Sequence, residues 1–116
     1  MSIVADRVKE TSTSTGTTDF TLAGTSTGYQ TINAAVGLNV FFTYAIRHQS
    51  ADEWECGEGY LSGTSTLVRN KVTASSNADA LVNFSAGTKD VLIAITADQF
   101  KGKGTAYAIA MGWAFP

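Results

Sequence analysis

The chain has 116 residues, 44% of them apolar, with 10 acidic against 8 basic side chains and a formal charge of −2. Size scaling lets such a chain bury roughly two-thirds of its unfolded surface, which fits one domain over 1–116 and leaves little core to spare. A slightly acidic chain lacks the basic stripe that nucleic acid requires, and a content of 16 Thr, 16 Ala, 11 Gly and 10 Ser disfavours a helical bundle and favours short strands joined by small-residue turns.

In chain order, Ile3-Val4-Ala5-Asp6-Arg7-Val8 alternates and leads into the run Thr11-Ser12-Thr13-Ser14-Thr15-Gly16-Thr17-Thr18. Threonine is β-branched, so this run predicts a polar strand with a turn at Gly16. Asp19-Phe20-Thr21-Leu22 reads as a half-buried strand closed by Ala23-Gly24, and Tyr29 and Ile32 belong to a weaker segment. Residues 40–47 are aromatic and β-branched, and period two places Phe42, Tyr44 and Ile46 on one face, with Phe41, Thr43, Ala45 and Arg47 on the other. After the polar turn 48–52, residues 53–60 predict a strand with Trp54 and Cys56 facing the core and Glu53 and Glu55 facing solvent. Further strands are expected at 66–74, 81–84 and 89–95, with turns at 75–79 and 87–88. One helical turn fits either 79–86 or 96–101.

The most regular segment is 106–115. Tyr107, Ile109, Met111, Trp113 and Phe115 alternate with Ala106, Ala108, Ala110, Gly112 and Ala114. The large residues mark a core-facing strand, while the bare Ala/Gly face suits close approach of another layer, either within the domain or at an oligomer interface. About eight or nine short strands without an amphipathic helix predict an all-β fold, an antiparallel sandwich or jelly roll with little or no helix.

Motifs for chemistry are weak. Asp6, Arg7, Lys9 and Glu10 interrupt any apolar run that could serve as a signal peptide, and no stretch reaches the roughly 18 apolar residues of a membrane span. A soluble, non-exported product without membrane insertion is expected. Cys56 is the sole cysteine, so neither an intrachain disulfide nor a Cys-based metal site is available. His48, the sole histidine, is expected in a surface turn. Asp52, Glu53, Glu55 and Glu58 could supply a glycosidase-like carboxylate pair or, with poorer spacing, a calcium site, but the alternation reads them as a solvated face. Lys101-Gly102-Lys103-Gly104-Thr105 lacks the order of a phosphate loop, the sequon Asn83-Phe84-Ser85 falls in an expected strand, and no Gly-x-Ser-x-Gly elbow occurs. The residues thus predict a protein that is not an enzyme, with no cofactor and no metal. Tyr29, Tyr60 and Trp54 lie near turns and are candidates for stacking on sugar rings, although core packing is the preferred reading of Trp54.

Three pieces of the chain resemble a β-module common in virion structural proteins of tailed bacteriophages. The first is Asp6-Arg7-Val8 with the Thr-rich run and Phe20-Thr21-Leu22-Ala23-Gly24. The second, Glu53-Trp54-Glu55-Cys56-Gly57-Glu58-Gly59, is similar to that module's Trp-Glu-x-Gly-x-Gly signature. The third and strongest is Leu67-Val68-Arg69-Asn70-Lys71-Val72-Thr73-Ala74-Ser75-Ser76-Asn77 continuing through Val82-Asn83-Phe84-Ser85-Ala86-Gly87-Thr88-Lys89-Asp90-Val91. In such a module Gly57 and Gly59 would permit a bulge or bend beside Trp54, Ser75-Ser76-Asn77 would cap a turn, and Gly87 would supply a positive φ. The resemblance implies a component of a phage tail fibre, tail spike, head fibre or capsid decoration. It implies a homo-oligomer made in the bacterial cytoplasm, placed on the particle surface beside other phage structural proteins, with host-surface glycan binding as the alternative function. Cys56 departs from the apolar residue expected at its position.

Overall fold

The computed structural model describes residues 5–94. Phe42, Tyr44 and Ile46 are all buried and project from one face of β3 (Phe42–His48), as period two requires. This strand is flanked on one side by β4 (Trp54–Gly63) and on the other by β6 (Lys89–Ile93). With β1 (Lys9–Ser12), β2 (Phe20–Thr21) and β5 (Thr66–Ser75), the strands form one antiparallel sheet in the order β1-β6-β3-β4-β5-β2. The chain is therefore all-β, and the sheet curls into a nearly closed, barrel-like sandwich.

Closure is made by the chain just after β2. The Leu22 N–H donates to the Ser65 carbonyl at 2.7 Å on the β5 side. On the β1 side, Ala23 N–H donates to Thr11 O at 2.8 Å, Thr11 N–H to Gly24 O at 3.0 Å, and the Ser12 hydroxyl to Thr21 O at 2.7 Å. Both sheet edges thus satisfy one another, which removes the open edge that an unrolled sheet would present. Inside lie Val8, Phe20, Leu22, Ile32, Phe42, Tyr44, Ile46, Leu61, Leu67, Val82, Phe84, Val91 and Ile93.

The fold departs from the sequence reading at several elements. One short helix, α1 (Ile32–Val36), is present where no helix was expected. Thr31 caps it by accepting from the Ala34 N–H, and the buried Glu10 carboxylate accepts from the Ile32 N–H at 2.9 Å. The expected strand 81–84 is irregular chain joined to the loop between β1 and β2 through an isolated Gly16↔Phe84 bridge, although Val82 and Phe84 are buried. The helical turn expected at 79–86 is absent: Ala78 and Asp79 adopt positive φ, and the chain reverses at the Asn77↔Ala80 bridge. Six strands are present among the described residues. The helical turn at 96–101, the loop 101–105 and the segment 106–115, with Ala106, Ala108, Ala110, Gly112 and Ala114, lie outside the described residues.

Turn chemistry matches the sequence more closely. Register shifts occur between Cys56 and Gly57 and between Glu58 and Gly59, so β4 is bulged where its glycines allow it. Ser75 and Asp79 cap the turn after β5: Asn77 N–H donates to Ser75 Oγ, and Ser75 N–H to Asp79 Oδ1. Gly87 has φ 129° and lies against the His48 ring, where a Cβ would come within 2.6 Å of it.

Candidate functional site

Strand β4 alternates as expected, but with its faces exchanged. Glu55 is fully buried, while Trp54 is 40% exposed, so the core assignment of Trp54 and the solvent assignment of Glu55 are both corrected. The reason is a partner on the neighbouring strand. Arg69 of β5 points into the barrel, its Nε donating to Glu55 Oε2 at 2.8 Å and its Nη2 to Glu55 Oε1 at 2.5 Å. The Tyr44 hydroxyl donates to the same carboxylate at 2.6 Å, and the Val82 N–H donates to it at 2.9 Å. A carboxylate with this many fixed donors is better placed inside than an indole whose N–H would lack one.

Arginine carries five N–H donors. Besides the bonds to Glu55, Arg69 donates through Nη1 to the carbonyls of Gly16 and Thr18, both at 3.2 Å, and through Nη2 to Val82 O at 2.7 Å. Its guanidinium also lies against Phe20 and Phe84, 4.9 and 5.2 Å from their ring centroids. Burial, then the hydrogen bond to Glu55, pushes the Tyr44 hydroxyl far above the ordinary tyrosine range and holds it protonated. Among the described residues no buried side-chain nitrogen or oxygen lacks a partner. This interior cluster is closed and accounts for its own charges.

The other acidic side chains do not converge on it. Glu58 sits opposite Lys71 on the outward face of the β4–β5 pair, while Glu55 points inward from the same strand. Glu53 accepts from the Ser85 N–H at 2.9 Å and from the Ser85 hydroxyl at 3.1 Å, which together hold its carboxyl below the usual range. Asp52 is exposed in the loop before β4. Among the described residues no group of three or more His, Cys, Asp or Glu side chains is placed to hold a metal ion.

His48 is buried, not in a surface turn. Its Nδ1 accepts from the N–H groups of Ser50 and Ala51 at 3.1 and 3.0 Å, which makes Nε2 the protonated nitrogen, donating to Ala86 O at 2.9 Å. Both ring nitrogens therefore hold the loop between β3 and β4. Lys89 is also fully buried, donating to Ser14 O at 2.7 Å, and burial lowers its ammonium below the ordinary lysine range. Cys56 is half-buried on the outward face, and burial, then the nearby Glu55 charge, pushes its thiol up.

The three aromatic candidates are kept apart. Tyr29 has its ring covered by the Arg7 guanidinium at 4.2 Å, with Lys9 Nζ at 5.2 Å. Tyr60 packs edge-on against Phe41, ring centroids 5.3 Å apart, at the opposite end of β4 from Trp54. Trp54 stands alone beside an open cleft of about 570 Å³ between the outward faces of β3 and β4 and the loop 49–53. The long polar side chains on the cleft that the sequence did not mark as site residues are Arg47, on the outward face of β3, and Gln49, in the turn after it, and neither position carried a distinguishing signal. Among the described residues no helix is long and apolar enough to cross a membrane. No family model, curated protein or solved structure matches the chain.

Proposed function

We propose that the chain is a non-enzymatic structural protein of a tailed-phage or phage-like particle, a small β-module that assembles with itself and with other particle subunits as part of a fibre, spike or head decoration. The observation that carries this reading is where the signature residues fall. Glu55, Gly57 and Gly59 of the second sequence piece lie on β4, and Arg69 of the third lies on β5. They meet in the barrel interior, where Glu55 pairs with Arg69 and the glycines make room for Tyr44. A signature that specifies packing is what a scaffold would preserve. Buried carboxylates committed to backbone and arginine partners are poor candidates for acid–base chemistry.

The outer surface supports assembly. Leu38 and Phe41, close together in the chain, are large apolar side chains that stay 42% and 47% exposed, and they are the contacts this reading offers to adjoining subunits. The reading places the protein on the particle surface after synthesis in the bacterial cytoplasm. Mass spectrometry of particles purified from a culture that produces the chain is the direct test. The expected result is the chain at a fixed ratio to a major particle subunit through repeated density-gradient steps; its absence from washed particles would overturn the reading.

A further inference from the structure

Trp54, Arg47 and Asp90 form one cross-strand row. Arg47 is the register partner of Trp54 on β4 and of Asp90 on β6, so all three side chains leave the same outward face. On the β3–β4 pair the next outward row is small, Ala45 opposite Cys56, with Leu92 following on β6. A bulky row beside a small one makes a step in the sheet surface, and the loop 49–53 rises on its far side. The resulting cleft, about 570 Å³, lies within the size range of small-ligand sites.

Its lining has a definite chemical character. Arg47 is oriented by Asp90, Nη2 to Oδ2 at 3.0 Å, yet its side chain is 64% exposed and its other N–H groups have no partner among the described residues. Gln49 donates to Asp90 Oδ1 at 3.0 Å, which fixes the amide and leaves its carbonyl oxygen as an acceptor. Asp52 adds an exposed carboxylate. The Trp54 indole N–H has no partner among the described residues either, and the residue is 40% exposed at the first position of β4. A flat aromatic face flanked by both donors and acceptors matches a ring that carries several hydroxyls. Of the charged side chains that line the cleft, the carboxylates of Asp52 and Glu53 outnumber the guanidinium of Arg47, which disfavours a polyanion.

We propose that this cleft binds a neutral hexopyranose unit of a glycan, with Trp54 as the stacking platform and Arg47 as the oriented donor. The proposal does not rest on the particle reading, since a glycan site could serve a free protein equally well. It also narrows the three aromatic candidates of the sequence to one, because Tyr29 is covered by Arg7 and Tyr60 by Phe41.

The test is a two-dimensional amide and indole NMR titration of the full chain with maltohexaose, cellohexaose, mannohexaose and a galactan oligosaccharide, with oligogalacturonate as the charged control. The Trp54 indole signal is assigned by its disappearance in Trp54→Ala. At least one neutral probe is expected to shift that signal together with the side-chain signals of Arg47. Trp54→Ala should weaken the same probe by about tenfold or more, the scale of one lost aromatic contact. Arg47→Gln should weaken it as well, while Tyr60→Ala should bind as the parent does. No shift with any neutral probe, undiminished binding by a well-dispersed Trp54→Ala or Arg47→Gln, or a response to oligogalacturonate alone would overturn the proposal.

Discussion

Glu55 and Arg69 place two full charges inside a barrel whose other contents are mostly aromatic and aliphatic, with side-chain exposures of 0% and 2%. Taking such charges from water is costly, and the pair stands because its hydrogen-bonding capacity is filled. Removing one partner strands the other. Arg69→Met is therefore expected to lower unfolding stability by about 3–5 kcal/mol in urea denaturation, and Glu55→Gln to fall in the same direction, whereas the double variant should recover part of the loss. A drop smaller than about 1 kcal/mol for Arg69→Met would assign the pair a minor role. A second residue-scale effect concerns acid. Burial works against the charge of Asp90, but hydrogen bonds from Gln49 and Arg47 and the charge of Lys9 outweigh it, so its carboxyl titrates below the ordinary range. Glu53 is lowered by the Ser85 N–H. A folded value below the unfolded one gives stability that is complete above about pH 4 to 5 and is lost as pH falls through the folded values. Denaturation midpoints measured from pH 6 to pH 2 should show this decline, and Asp90→Asn should flatten it.

At the scale of elements, β4 shows what close approach demands. A Cβ at Gly57 would lie 2.9 Å from the Tyr44 hydroxyl oxygen and would collide with the Lys71 carbonyl; one at Gly59 would lie 3.2 Å from Tyr44 Cδ2 and collide with the Val68 carbonyl. Backbone carbonyls of a paired strand cannot step aside cheaply. Gly57→Ala is expected to cost more than the roughly 1 to 3 kcal/mol of ordinary overpacking, or to abolish cooperative thermal unfolding, while Gly24→Ala, with open space around its Cβ, should be limited to its backbone strain. The same strand explains what the sequence could and could not convey. Strand β3 was legible because its aromatic and β-branched residues alternate and the apolar set is the buried set. Strand β4 had an equally clear period, but hydrophobicity chose the wrong face: nothing local to Trp54-Glu55-Cys56 reveals that Arg69, in register with Gly59, reaches along the strand to Glu55, a fact that depends on the β4–β5 register and its bulges. Helix α1 is five residues long, too short for any periodic signal, and its cap from Glu10 is a tertiary contact. The cleft was legible only in Trp54, since Arg47 joins it through strand pairing.

The whole molecule is a sheet that meets itself along one narrow seam. Between β1 and the chain after β2 the barrel is closed by a few backbone bonds at Thr11, Ala23 and Gly24, whereas β3 at the centre is paired along its length with both β4 and β6. Local opening takes the route with the fewest bonds to break. Amide hydrogen exchange should therefore release Thr11 and Ala23 well before Tyr44 and Ile46; equal protection at these sites would mean that the seam opens only with global unfolding.

The guanidinium of Arg69 grips the carbonyls of Gly16 and Thr18 from one loop and of Val82 from another, and the two loops are also bridged by Gly16 and Phe84. Main-chain oxygens look alike whatever side chain is attached to them. The connection between β1 and β2 should thus be indifferent to its spelling at the exposed Thr17 and Thr18 while strict about its length. Conservative substitutions there should leave the melting temperature nearly unchanged, and deletion of either residue should lower it as a loss of Arg69 does. Variation among functional versions of this chain would then show itself in these loops as exchanged letters and almost never as gaps.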